Sequence, residues 1–141
     1  MTQENKELFL RDLCARLPYE VKAYIKHWGN LSRKYYEGTY VVKSIHPSLN
    51  TIYASSENGS VEVIFGHPDY IIKPYLFPFS SMTEKQKEEY CSLQQKVIYN
   101  SNGPVNSDVM EYVNWCYKNH IDINNLISIG LALDATELNI Y

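Results

Sequence analysis

The sequence predicts an α+β domain: an N-terminal helix, a small antiparallel sheet or SH3-like barrel of four to five strands, then two to three C-terminal helices. Three observations carry this. Stretches near both ends place apolar side chains at helical spacing. Between them, short runs rich in β-branched and aromatic residues alternate with turn signals every few residues. The chain has 141 residues, 45% of them hydrophobic and 21% charged, which suits one core rather than two.

The first helix is expected over residues 3–17, "QENKELFLRDLCARL". Leu8, Phe9, Leu13 and Leu17 form its apolar stripe, with Glu4, Lys6, Arg11 and Asp12 elsewhere on the cylinder. Thr2 is a suitable N-cap, and Pro18 stops the helix. In "EVKAYIKHW", residues 20–28, Val21, Ala23 and Ile25 point one way while Lys22, Tyr24 and Lys26 point the other, as a half-buried strand requires. "GNLSRKYYEG" reads as a polar connection between Gly29 and Gly38. Residues 39–45, 51–55 and 60–65 read as further strands, and Asn58-Gly59 marks a tight hairpin between the last two. "YIIK" adds a short fifth strand. Such a meander closes easily into a small barrel.

"KPYLFPF" follows. Pro74 and Pro78 donate no backbone hydrogen bond, so the last strand is expected to end near Lys73, with 74–82 laid down as an apolar strap. Thr83 with Gln86 fits a capping box for a helix running to about Tyr99, with Met82, Tyr90, Leu93 and Val97 on its buried side. "NSNGP" breaks it. Ser107 can cap a third helix, and Asp122 a short last one through Ile129, ended by Gly130 in a left-handed conformation. The tail "LALDATELNIY" is apolar enough to dock. The organisation is therefore one domain: helix 1–18, sheet or barrel 19–73, strap 74–82 and a helical part 83–141.

Composition narrows function by exclusion. The formal charge is −3, but residues 1–50 carry eight Lys/Arg against five Asp/Glu, and residues 51–141 carry five against eleven. The first third is only mildly basic, and the overall sign opposes the approach of a polyanion. Three cysteines without CxxC spacing argue against a disulfide framework or a zinc site. The N-terminus has no apolar core of a signal peptide, and no run is long enough to span a bilayer. A cytoplasmic protein without a membrane contact is expected.

No phosphate-binding glycine loop, nucleophile elbow or clustered ligand set occurs. Cys116 and His120 stand four apart on one expected helix face, which supplies two ligands and not a site. His46 and His67 each precede a proline in a turn and read as solvated. Cys14 and Cys91 fall within helical patterns, and Glu88-Glu89 on a solvated face. No catalytic residue, cofactor site or metal site is expected. One stretch does suggest binding. Arg33, Lys34, Tyr35 and Tyr36 put two cations beside two tyrosines, the pairing by which single-stranded nucleic acids are held.

"LFLRDLCARLPYEVK", "IKPYLFPFSSMTEKQKEE" and "LISIGLALDATELNIY" together resemble a set of uncharacterised small proteins of Bacteroides-type gut bacteria and their phages and mobile elements. Those carry a "KDLCARLPYGVK"-like start, a "KPYLFPLSSMTEEQ"-like middle and a "GLALDATGLNIY"-like end, in this order. Glu20 and Glu137 stand here where glycine is common. The resemblance implies a phage-related cytoplasmic protein and brings no activity, substrate or catalytic residue with it. The leading expectation is a non-enzymatic binding or accessory protein with a protein partner. A nucleic-acid-binding accessory protein using Arg33–Tyr36 ranks second, and an enzyme third.

Overall fold

A computed structural model describes residues 1–98 and 106–141. Helix α1 spans Gln3–Arg16, and the Thr2 hydroxyl accepts the Asn5 N–H at 3.1 Å, the cap its sequence position predicts. Pro18 converts the end into a single tight turn, Leu17–Tyr19. Glu20 then lies at φ 55°. Glycine adopts that conformation at no steric cost, whereas Glu20 holds it with a side chain.

The strands are β1 (Lys22–Gly29), β2 (Lys34–His46), β3 (Thr51–Ser56), β4 (Gly59–Ile64), β5 (Ile71–Leu76) and β6 (Leu133–Asp134). They form one sheet in the order β4-β3-β2-β1-β5-β6, antiparallel except for the β5–β6 pair. The domain is α+β as expected. Of the two expected forms it takes the open sheet, with β4 and β6 as its edges, and no barrel closes.

Within the sheet, two local expectations fail for identifiable reasons. The connection expected over Gly29–Gly38 shrinks to the turn between β1 and β2, because Lys34 to Gly38 pair with β1 out to Gly29. β5 does not end at Lys73 but continues through Pro74 to Leu76. β6 joins only at Tyr75 and Leu76, so at Pro74 the strand still has an open edge that requires no donor.

One face of the sheet makes the core. Ala23, Ile25, Val42, Ile52, Ala54, Val63, Ile72 and Leu76 pack against Phe9, Leu10 and Leu13 of α1 and Leu126, Leu131 and Ala132 near the C-terminus. Phe9 stacks on Phe65 with ring centroids 4.3 Å apart. Asp12, expected off the apolar stripe, is fully buried, and so is Arg16. Arg16 grips both Asp12 oxygens, at 2.6 and 3.0 Å, and donates to the Ile121 carbonyl at 2.8 Å. Asn124 donates to Asp12 at 2.7 Å, and the guanidinium lies 4.9 Å from the Tyr117 ring centroid.

Helix α2 spans Glu84–Ile98 and opens on the expected reciprocal cap: Thr83 N–H to the Gln86 side chain at 3.0 Å, and Gln86 N–H to the Thr83 hydroxyl at 3.2 Å. Leu93 is its buried residue, flanked by half-buried Tyr90 and Val97. The expected break at "NSNGP" falls outside the described residues. Helix α3, Asn106–Lys118, takes in Ser107 rather than starting after it. The expected last helix is a series of turns. The Asp122 carboxylate still caps it, accepting from Leu126 and Ile127 N–H at 2.8 and 2.9 Å, and Gly130 is left-handed at φ 78°. The tail docks: the Tyr141 hydroxyl donates to the Tyr75 carbonyl at 2.9 Å.

The strap is an extension of the sheet. Phe77 N–H donates to His120 O, and Asp122 N–H to Phe77 O, both at 2.8 Å. Leu76 is fully buried whereas Phe77 is half-buried against Tyr141. Leu76→Ala is therefore expected to cost about 2–5 kcal/mol. Phe77→Ala is expected to cost less, despite its larger side chain. Urea denaturation of the two variants checks this, and a reversed order would show that the strap, not the strand, closes the core.

Candidate binding face

The second face of the sheet is built by the alternation of β1. In "KAYIKHW", Ala23 and Ile25 enter the core, so Lys22, Tyr24, Lys26 and Trp28 stand on the opposite side. Register extends that side across the neighbouring strands. Trp28 pairs with Tyr35, Lys26 with Glu37 and Ile71, and Tyr24 with Thr39 and Lys73. Exposure alternates accordingly. Ala23, Ile25 and Ile52 are 0% exposed, whereas Tyr35 is 48% and Tyr53 38% exposed on the other face.

The side chains on this face touch one another. Trp28 meets Tyr35 edge to face at 4.9 Å, and the Lys26 ammonium lies 5.0 Å from the Tyr35 ring centroid. Tyr24 donates to the Glu37 carboxylate at 2.6 Å. That hydrogen bond, with burial second, pushes the Tyr24 hydroxyl up to about 12. Glu62, paired with Tyr53 across β3 and β4, raises the Tyr53 hydroxyl too. At the far end Lys22 donates to the Ile140 carbonyl at 2.7 Å, so the docked tail closes the row. A groove of about 560 Å³ opens beside it between Glu37, Thr39, Ser55, Asn58 and Asn139.

The four residues singled out in the sequence are divided by the strand they belong to. Arg33 sits in the turn at φ 52°, its N–H bonded to Gly29 O at 2.8 Å. Tyr35 joins the open face. Tyr36 stacks on His27 at 5.6 Å on the reverse side of the hairpin, with the Lys34 ammonium 5.0 Å from its ring centroid. The two tyrosines thus form two aromatic–cation pairs, back to back. Lys22, Tyr24, Lys26 and Trp28 complete the face that holds Tyr35. Their signal was the period-2 alternation of β1, which puts aromatic and lysine in turn on its outward side.

Two cysteines and one histidine are shifted by burial. Cys116 is buried, which raises its thiol to about 11, and burial also raises Cys14. His120 does not share a helix face with Cys116, because α3 ends at Lys118 and His120 turns left-handed at φ 57°. Its ring stacks on Tyr141 at 3.7 Å. His46 lies edge-on to Tyr53, and His67 sits beside Asp69 and Tyr70. Among the described residues, no three His, Cys, Asp or Glu side chains gather as metal ligands, and no helix is long and apolar enough to cross a membrane.

The chain matches no protein-family model, no curated protein and no solved structure. Its own geometry is therefore the ground for a functional reading.

One titration tests the packing of this end of the molecule. Burial first, then the charges of Arg16 and Lys22, lower His120 from 6.5 to about 4. The unfolded imidazole takes its proton near 6.5, and the folded one only near 4. The unfolded state thus binds more protons in that window, and stability falls as pH drops through it. The loss of melting temperature between pH 7 and pH 5 is expected to be smaller in His120→Gln. Equal losses in both proteins would place His120 in solvent instead.

Proposed function

We propose that this protein is a non-enzymatic binding or accessory protein, of the phage or mobile-element origin its sequence resemblance implies, and that it works through the open face of its sheet. One observation carries the reading: α1 and the C-terminal turns cover one face of the sheet, while the other presents Tyr24, Lys26, Trp28, Tyr35 and Tyr53. An antiparallel sheet commonly leaves one face to water, and small polar residues serve there well. Large aromatic side chains are the residues of recognition surfaces, because they bring much contact area with few rotatable bonds. The non-enzymatic part of the proposal is supported by the raised thiols of Cys14 and Cys116 and by the stacked, lowered His120.

A photo-crosslinking amino acid tests it, placed at Tyr35 on the open face and, as control, at Ile129 in the C-terminal turns. Adducts with a macromolecule are expected from position 35 in bacterial extract and not from position 129. Adducts from both in equal yield, or from neither, would remove the open face as the working surface.

A further inference from the structure

We propose that the open face binds single-stranded nucleic acid, with bases stacking on Tyr35, Trp28 and Tyr24 and phosphates met by Lys26 and Lys73. This rests on the binding reading above and names its ligand. The first ground is spacing. Trp28, Lys26, Tyr24 and Lys22 alternate aromatic and cation along one face of β1, and residues two apart in a strand stand about 6.6 Å apart. That step sets a cation between two aromatic rings, the two kinds of group that hold a single strand's phosphates and bases. Tyr35 broadens the platform beside Trp28, and Lys73 adds a cation beside Tyr24.

The second ground is where the charge lies. The chain's −3 is not the charge of its sheet. Residues 22–76 hold six Lys/Arg against four Asp/Glu, whereas residues 77–141 hold four against eight. On the open face itself stand Lys22, Lys26 and Lys73 with Glu37 and Glu62, and the Glu37 carboxylate accepts the Tyr24 hydroxyl. Lys26 lies against the Tyr35 ring, so a cation and a stacking surface stand together on this face.

Glu37 stands opposite Lys26 and repels phosphate. Its removal is therefore a more telling test than any loss of binding. A duplex keeps its bases stacked away from such rings, so a single strand is the form that fits.

The test is fluorescence anisotropy with a labelled single-stranded oligothymidylate, at 50 and 200 mM salt, on variants that melt like the parent. Tyr35→Ala is expected to weaken binding about tenfold or more. Tyr36→Ala, on the reverse of the hairpin, should leave it within about twofold. Two phosphate contacts predict a log–log salt slope of about −1.4, and Lys26→Gln should lower it by about 0.7. Glu37→Gln should tighten binding. Absence of binding at 50 mM salt, equal loss in Tyr35→Ala and Tyr36→Ala, or equal affinity for a duplex would each overturn the proposal. Nuclease digestion of the position-35 adducts separates the two readings. Nuclease-sensitive adducts support both. Adducts resistant to nuclease but lost to protease would keep the open face and overturn nucleic acid as its ligand.

Discussion

The buried contact between Asp12 and Arg16 is the constraint around which the rest is arranged. Both side chains have no exposure at all, and both come from the helix that packs on the sheet. Removing two charges from water costs several kcal/mol per ion, and the cost is recovered only when hydrogen bonds satisfy what remains. Here the partners come from more than 100 residues away. Ile121 O receives the guanidinium, Asn124 caps the carboxylate, and Tyr117 lies beneath the cation. One donor, Nη1 of Arg16, has no protein partner among the described residues. The effect of the pair is positional: it fixes where residues 117–124 meet α1.

That position decides which face of the sheet is covered. With Ile121 held, the neighbouring backbone pairs with Phe77, and the turns that follow set Leu126, Leu131 and Ala132 into the core beside α1. The chain then ends by threading Tyr141 along Tyr75 and Lys22 at one end of the opposite face. Beyond that tail the opposite face is left to Tyr24, Lys26, Trp28 and Tyr35. The open face is thus a consequence of one-sided coverage, and the coverage depends on the ion pair.

Much of this was legible in the residues. The strands followed from period-2 alternation, the α1 and α2 caps from Thr2 and the Thr83–Gln86 pair, and Gly130 from its position after an apolar turn. What the sequence concealed were features that depend on distant partners. Asp12 and Arg16 look like solvated helix residues until Asn124 and Ile121 arrive. Pro74 reads as a strand end, because only the limited extent of β6 reveals an edge without need of a donor. "RKYYEG" reads as a loop from its polarity, yet pairing with β1 makes it strand. That pairing separates Tyr35 from Tyr36 by the pleat and brings Lys26 and Trp28 to Tyr35. The open face was half visible, since the outward set of β1 was apparent but its neighbours across β2 and β5 were not.

A double-mutant cycle on Asp12 and Arg16, followed by urea denaturation, tests the dependence most directly. Asp12→Leu and Arg16→Met alone should each destabilise by about 3–5 kcal/mol, because each strands a buried charge. The double variant, which leaves neither charge, should cost less than either single change. Losses below about 1 kcal/mol in both single variants are the size of a solvated surface pair, and they would contradict the account.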